Sequence, residues 1–102
     1  MRILVIGGGA REDALSWKLA QSPSCTEIFA APGNAGTASR GQNWNIAITD
    51  GKMLADVATA EGIDLVVIGP EVSIAAGVGD RLREAGLSVF GPNRSEIGRA
   101  HV

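Results

Sequence analysis

The chain has 102 residues, of which 45% are hydrophobic and 20% charged, a balance that fits one modest globular domain and excludes a disordered tail. A net charge of −2 with no basic run speaks against general binding to nucleic acid or to a membrane surface. The single Cys25 leaves no partner for an internal disulfide, no Cys/His cluster has zinc spacing, and no apolar stretch approaches the ~18 residues of a membrane span; with a first strand starting at residue 2 and no leader, a reducing cytoplasmic setting is expected.

The chain opens on a continuous apolar run, Arg2 to Gly7, of the kind found in a strand buried on both faces. It breaks into Gly7-Gly8-Gly9 and passes at once into a helical pattern over Arg11 to Gln21, with Ala14, Leu15, Trp17, Lys18 and Leu19, ended by Ser22-Pro23. Thr26 to Ala30 reads as a second short strand, closed by the turn-forming loop Ala31-Pro-Gly-Asn-Ala-Gly36. Trp44, Ile46 and Ile48 alternate with Asn45 and Ala47, which suggests a short or edge strand. Asp50 is placed to cap a helix through Met53, Leu54, Val57 and Ala58 that stops near Gly62. Ile63 to Ile68 is another buried strand, ending in Gly69-Pro70-Glu71. A helix over about 75–85 follows, with Val78, Leu82 and Ala85 inward and Gly86 at its C-terminal cap, and Leu87 to Phe90 is a last strand before Gly91-Pro92.

Strands alternating with helices predict a doubly wound α/β fold, a Rossmann-like parallel sheet with right-handed crossovers. Ligands of this class bind at the carboxyl ends of the strands, which here are Gly7 to Gly9, Ala31 to Gly36, Gly69 to Glu71 and Gly91-Pro92. A strand, a glycine turn and a helix N-terminus aim backbone N–H groups and about half a positive charge at an anion. A dinucleotide pattern fails: Glu12 stands where the third glycine of Gly-x-Gly-x-x-Gly would be, and no acid ends the second strand. No Gly-Lys-Ser/Thr exists for a Walker A loop. The turn then serves a single phosphate or sugar phosphate, or else is a tight turn without a ligand. Arg11 and Glu12 read either as site residues or as an exposed first helical turn, and Glu71 either accepts hydrogen bonds from vicinal sugar hydroxyls or is a helix N-terminal acid. Asp13 has no evident partner, His101 lies at the chain end, and no Ser/His/Asp, Cys/His or metal constellation is present, so the pattern holds a binding site and no catalytic residues.

Four ordered motifs, Val5-Ile-Gly-Gly-Gly-Ala-Arg-Glu-Asp-Ala-Leu15, Ala31-Pro-Gly-Asn-Ala-Gly-Thr37, Asp64-Leu-Val-Val-Ile-Gly-Pro-Glu71 and Ala85-Gly-Leu-Ser-Val-Phe-Gly-Pro92, resemble the N-terminal domain of the phosphoribosylamine–glycine ligase family. The resemblance implies a pre-ATP-grasp domain, and an ATP-dependent ligase that joins glycine to 5-phosphoribosylamine in purine biosynthesis. It also implies that ATP and Mg²⁺ are bound by ATP-grasp domains following in the same chain, so that this segment alone is inactive. The substrate residues it suggests are Gly7, Gly8, Gly9, Arg11, Glu12, Pro32, Gly33, Asn34, Gly36, Pro70 and Glu71. The rival readings are a free-standing sugar-phosphate or nucleotide module and another pre-ATP-grasp ligase. Two positions depart from the family's usual Gly-x-Gly-Gly-Arg-Glu-His-Ala: Ala10 replaces a glycine, and Asp13 a histidine, where an anion is expected to weaken phosphate binding. Finally, Ile97-Gly-Arg-Ala-His-Val102 matches the translation of a common sequencing adapter. The domain is therefore expected to span residues 1–95, and residues 96–102 to be a non-native tail.

Overall fold

A computed structural model describes residues 1–69 and 75–91; Pro70, Glu71, Pro92 and the tail 96–102 lie outside the described residues. The elements are β1 (Arg2–Gly7), α1 (Ala10–Ala20), β2 (Glu27–Pro32), α2 (Ala35–Arg40), β3 (Gln42–Asn43), α3 (Gly51–Ala60), β4 (Leu65–Ile68), α4 (Ala75–Glu84) and β5 (Val89–Phe90). They form one five-stranded sheet in the order β3-β2-β1-β4-β5, with every adjacent pair parallel. The Rossmann-like α/β reading is correct.

β1 is central because its side chains are apolar on both sides. Leu4 and Ile6 join Phe29, Ala31, Val66 and Ile68 in the larger core, closed by Leu54, Ala55 and Ala58 of α3 and by Val78 and Leu82 of α4. Ile3 joins Ile28 and Val67 on the other side, where Leu15 and Leu19 of α1 pack. The foot of the sheet is tied by the Arg2 N–H donating to Asp64 Oδ2, by the Asp64 N–H donating to Arg2 O and by an Arg2–Glu27 ion pair, with the Arg2 guanidinium 4.9 Å from the Phe29 ring centre.

Helix ends follow local chemistry. Asp50 caps α3, its Oδ1 accepting from the Met53 N–H at 3.1 Å. Helices α3 and α4 both stop at a glycine of positive φ, Gly62 and Gly86, and the next amide bonds back five residues, Ile63 to Ala58 and Leu87 to Leu82. That is the Schellman arrangement, which a Gly-apolar pair favours.

Several sequence expectations need correction. The loop 31–36 is not wholly irregular: β2 continues to Pro32, and a short helix, α2, starts at Ala35. The edge strand is Gln42–Asn43, not the Trp44–Ile48 alternation; Trp44 is buried against Phe29 with ring centres 5.3 Å apart, while Ile46 and Ile48 pack on the core from a loop. In α1 the buried positions are Glu12 and Ser16, with Leu15 and Leu19 partly buried on the sheet, whereas Trp17 is 54% exposed and Ala14 is exposed. Ala85 lies one residue past α4 and is exposed.

This core makes a contrast testable. Leu4→Ala removes a fully buried side chain from the central strand and should lower stability by about 3 kcal/mol, whereas Trp17→Ala should cost less than about 0.5 kcal/mol. Urea unfolding followed by circular dichroism measures both.

Candidate functional site

In the strand order found here the chain reverses direction beside β1: β2 and β3 extend one way, β4 and β5 the other. The crevice at the carboxyl ends of β1 and β4 is therefore the switch point where this fold class places ligands. The turn Gly7–Gly9 forms one lip, and Pro32 to Asn34, after the neighbouring strand, stand beside it.

Sequence alone suggested a bare glycine turn; the structure shows a braced one. The Gly33 N–H donates to Gly7 O at 3.1 Å, and a Cβ on Gly8 would come within 2.9 Å of Gly33 O, so the two turns are in backbone contact. Asn34 Nδ2 donates to the carbonyls of both Gly8 and Gly9, each at 3.0 Å. The same side chain caps α2, its Oδ1 accepting from the Thr37 N–H at 3.0 Å while Thr37 Oγ1 accepts from the Asn34 N–H at 2.8 Å. Asn43 Nδ2 donates to Asn34 O at 2.8 Å, and Thr37 is fully enclosed. Thr37 and Asn43 are site residues that sequence reasoning missed. The Asn34-x-x-Thr37 spacing was a usable cap signal, but the six residues of α2 carry no apolar stripe to reinforce it.

Glu12 is 7% exposed, which corrects its reading as part of an exposed first turn. Its Oε1 accepts from the Gly9 N–H at 3.2 Å, and a Cβ on Gly7 would overlap its carboxylate. The hollow of the turn is thus filled from within. Peptide planarity then fixes which donors point outward. With the Gly8 carbonyl turned to Asn34, the Gly9 N–H points inward to Glu12. With the Gly7 carbonyl turned to Gly33 and the Gly9 carbonyl to Asn34, the Gly8 N–H points away from Gly33 and the Ala10 N–H away from Asn34. Gly8 and Ala10 are exposed, and neither amide has an acceptor among the described residues. Ala10 occupies the first position of α1, and no non-glycine described residue has positive φ, so its Cβ meets no dihedral penalty.

Asp13 does have a partner. The Arg40 Nη1 makes an ion pair with its carboxylate and lies 3.1 Å from Gly36 O and 3.2 Å from both Ser16 Oγ and Asp13 O. A Cβ on Gly36 would overlap the Asp13 carboxylate, which would have to shift. Of the residues nominated from sequence, Gly7, Gly8, Gly9, Glu12, Gly33, Asn34 and Gly36 therefore belong to one connected network. Pro32 lies beside Gly8, and Arg11 is exposed on the first turn of α1. Pro70 and Glu71 fall outside the described residues.

A separate groove of about 620 Å³ lies between α3 and α4, lined by Asp50, Lys52, Val78, Arg81 and Glu84 among others, and includes none of the nominated residues. Among the described residues no group of three His, Cys, Asp or Glu side chains is arranged to hold a metal ion, and no helix is long and apolar enough to cross a membrane.

Because Asn34 satisfies two carbonyls and a helix start together, Asn34→Ala should destabilise the chain by about 1–2 kcal/mol and speed exchange of the Thr37 amide. Denaturant titration and hydrogen exchange followed by NMR test this pair of effects.

Residues 1–97 match the family model described as phosphoribosylglycinamide synthetase, N domain. Curated relatives include the phosphoribosylamine–glycine ligase of Escherichia coli K12, 53% identical over 94 residues that cover 90% of this chain and 22% of that protein. The Ralstonia nicotianae ligase is 47% identical over 95 residues, covering 93% of this chain and 22% of the relative. The crystal structure of phosphoribosylamine–glycine ligase from Thermotoga maritima superposes with a TM-score of 0.60 at 27% identity, over 93% of this chain and 20% of that one. The chain thus spans about a fifth of the length of the relatives it matches, and it belongs to the phosphoribosylglycinamide synthetase N-domain family.

Proposed function

We propose that the chain is the substrate-side segment of a phosphoribosylamine–glycine ligase and that its rim holds the sugar phosphate of 5-phosphoribosylamine. The observation that carries this reading is the pair of outward N–H groups on Gly8 and Ala10, set at the start of the eleven-residue helix α1 and at the switch point of the sheet. A phosphate there meets fixed donors and the positive end of the helix dipole without displacing the internal bond from the Gly9 N–H to Glu12. The Pro32–Gly36 stretch forms the neighbouring wall, and Arg11 is positioned to add charge. Glu71, three residues past the end of β4 in the sequence, is assigned to the ribose hydroxyls.

In the complete reaction, ATP activates the glycine carboxylate and the amine of phosphoribosylamine attacks it. The described residues offer no carboxylate cluster for Mg²⁺. By family resemblance, the reading places ATP and Mg²⁺ in ATP-grasp domains beyond this segment, in a cytoplasmic ligase, and gives this segment the work of binding and orientation. Alone it performs no bond-making step.

Ribose 5-phosphate, which carries the same phosphate and hydroxyls, is a suitable probe. Gly8→Ala, whose Cβ would press on Gly33 O, should weaken its binding at least about tenfold, while Lys52→Ala in the α3–α4 groove should leave it unchanged. Equal affinity of the parent and Gly8→Ala in isothermal titration calorimetry would rule out the rim. In a full-length ligase bearing this segment, Glu71→Ala should raise the KM for phosphoribosylamine; an unchanged KM would remove the ribose assignment.

A further inference from the structure

The Asp13–Arg40 pair is unexplained by the fold alone. Its two residues sit on different helices, and the pair stands where the family pattern leads one to expect a histidine and no anion. Helix α2 has only six residues, too few to hold its shape unaided, so its position depends on its attachments. There are two. At its start, Asn34 joins the Gly8 and Gly9 carbonyls; at its end, Arg40 reaches across to α1, contacting the Asp13 carboxylate, the Asp13 carbonyl and Ser16 Oγ. Ser16 is fully buried and its hydroxyl also donates to Asp13 O at 2.8 Å, so the guanidinium lands on a rigid part of α1. Arg40 closes a ring that runs from the glycine turn through α1, back across to α2, and through Asn34 to the turn again.

We propose that Arg40 is a positioning residue of the sugar-phosphate site: it pins α2 so that Asn34 keeps the Gly8 and Gly9 carbonyls turned away from the ligand, and it neutralises Asp13 so that the first turn of α1 can accept an anion. This rests on the reading of the rim as the sugar-phosphate site. The charge argument is direct. Asp13 lies in the first helical turn, where a free carboxylate would repel a phosphate bound at that helix start. Paired with Arg40, it contributes little net field.

The test uses the full 102-residue chain with ribose 5-phosphate as probe. Arg40→Ala should weaken binding about tenfold, and Arg40→Lys, which keeps the charge, should stay within about threefold of the parent. The double variant Asp13→Asn with Arg40→Ala should bind more tightly than Arg40→Ala alone, because the uncompensated carboxylate is gone; a purely structural role for Arg40 predicts no such recovery. Without ligand, Arg40→Ala should speed exchange of the Thr37 amide while leaving that of Leu4 in the core unchanged. If Arg40→Ala does not fold, Arg40→Gln, which keeps a long polar side chain without the charge, takes its place in both comparisons. Parent binding that Arg40→Ala leaves unaltered, or a double variant no tighter than Arg40→Ala, overturns this proposal and spares the reading of the rim. A parent chain that does not bind ribose 5-phosphate overturns both.

Discussion

The candidate site depends on the contact between the turns that follow two adjacent strands. β1 and β2 run parallel and in register, with Gly7 opposite Pro32, so their exits leave the sheet side by side. Only residues without side chains let the two exits touch at Gly8 and Gly33, and only a short amide side chain at Asn34 bridges the remaining gap to the Gly8 and Gly9 carbonyls. Everything on the rim follows from that bridge. It holds the peptide planes of the turn, with the Gly9 N–H directed to Glu12. A glycine turn is commonly read as a flexible loop, but this one is held by Gly33, Asn34 and Glu12.

Charge is handled by the same economy of contacts. Two acids, Glu12 and Asp13, occupy the first turn of a helix proposed to receive a phosphate. Such acids favour the helix but oppose an anionic ligand. Each is dealt with separately. Glu12 is buried under the turn and accepts from the Gly9 N–H; Asp13 is ion-paired with Arg40. Asp13, expected from the sequence to weaken phosphate binding, has its carboxylate paired with a guanidinium, a contact the sequence pattern did not reveal.

Much of the architecture was legible in the residues because its signals are local and repeated. Continuous apolar runs marked β1 and β4, Asp50 marked a helix start, and Gly62 and Gly86 marked helix ends, all through chemistry within a few residues. The glycine turn and the Pro32–Gly36 wall were legible as loops at strand ends. Illegible were the features made by contacts across sequence: the Asp13–Arg40 pair spans 27 residues and the Asn34–Gly8 bond 26. Helix α2 escaped notice because Ala-Gly-Thr-Ala-Ser-Arg has no apolar periodicity and is held by its cap and its tether instead of by burial. The burial of Glu12 and Ser16 in α1 was illegible for a related reason: both polar side chains are satisfied by backbone groups, which hydrophobicity does not report.

The central claim is that a phosphate meets the amides of Gly8 and Ala10 on a preformed rim. An NMR titration of the ¹⁵N-labelled chain with ribose 5-phosphate measures this most directly. The account predicts saturable shifts confined to Gly8, Ala10, Arg11 and the Asn34 side-chain amide, with the Gly9 amide keeping its bond to Glu12. Shifts centred instead on Lys52 and Arg81 in the α3–α4 groove, or no saturable shift at the glycine turn, would contradict it.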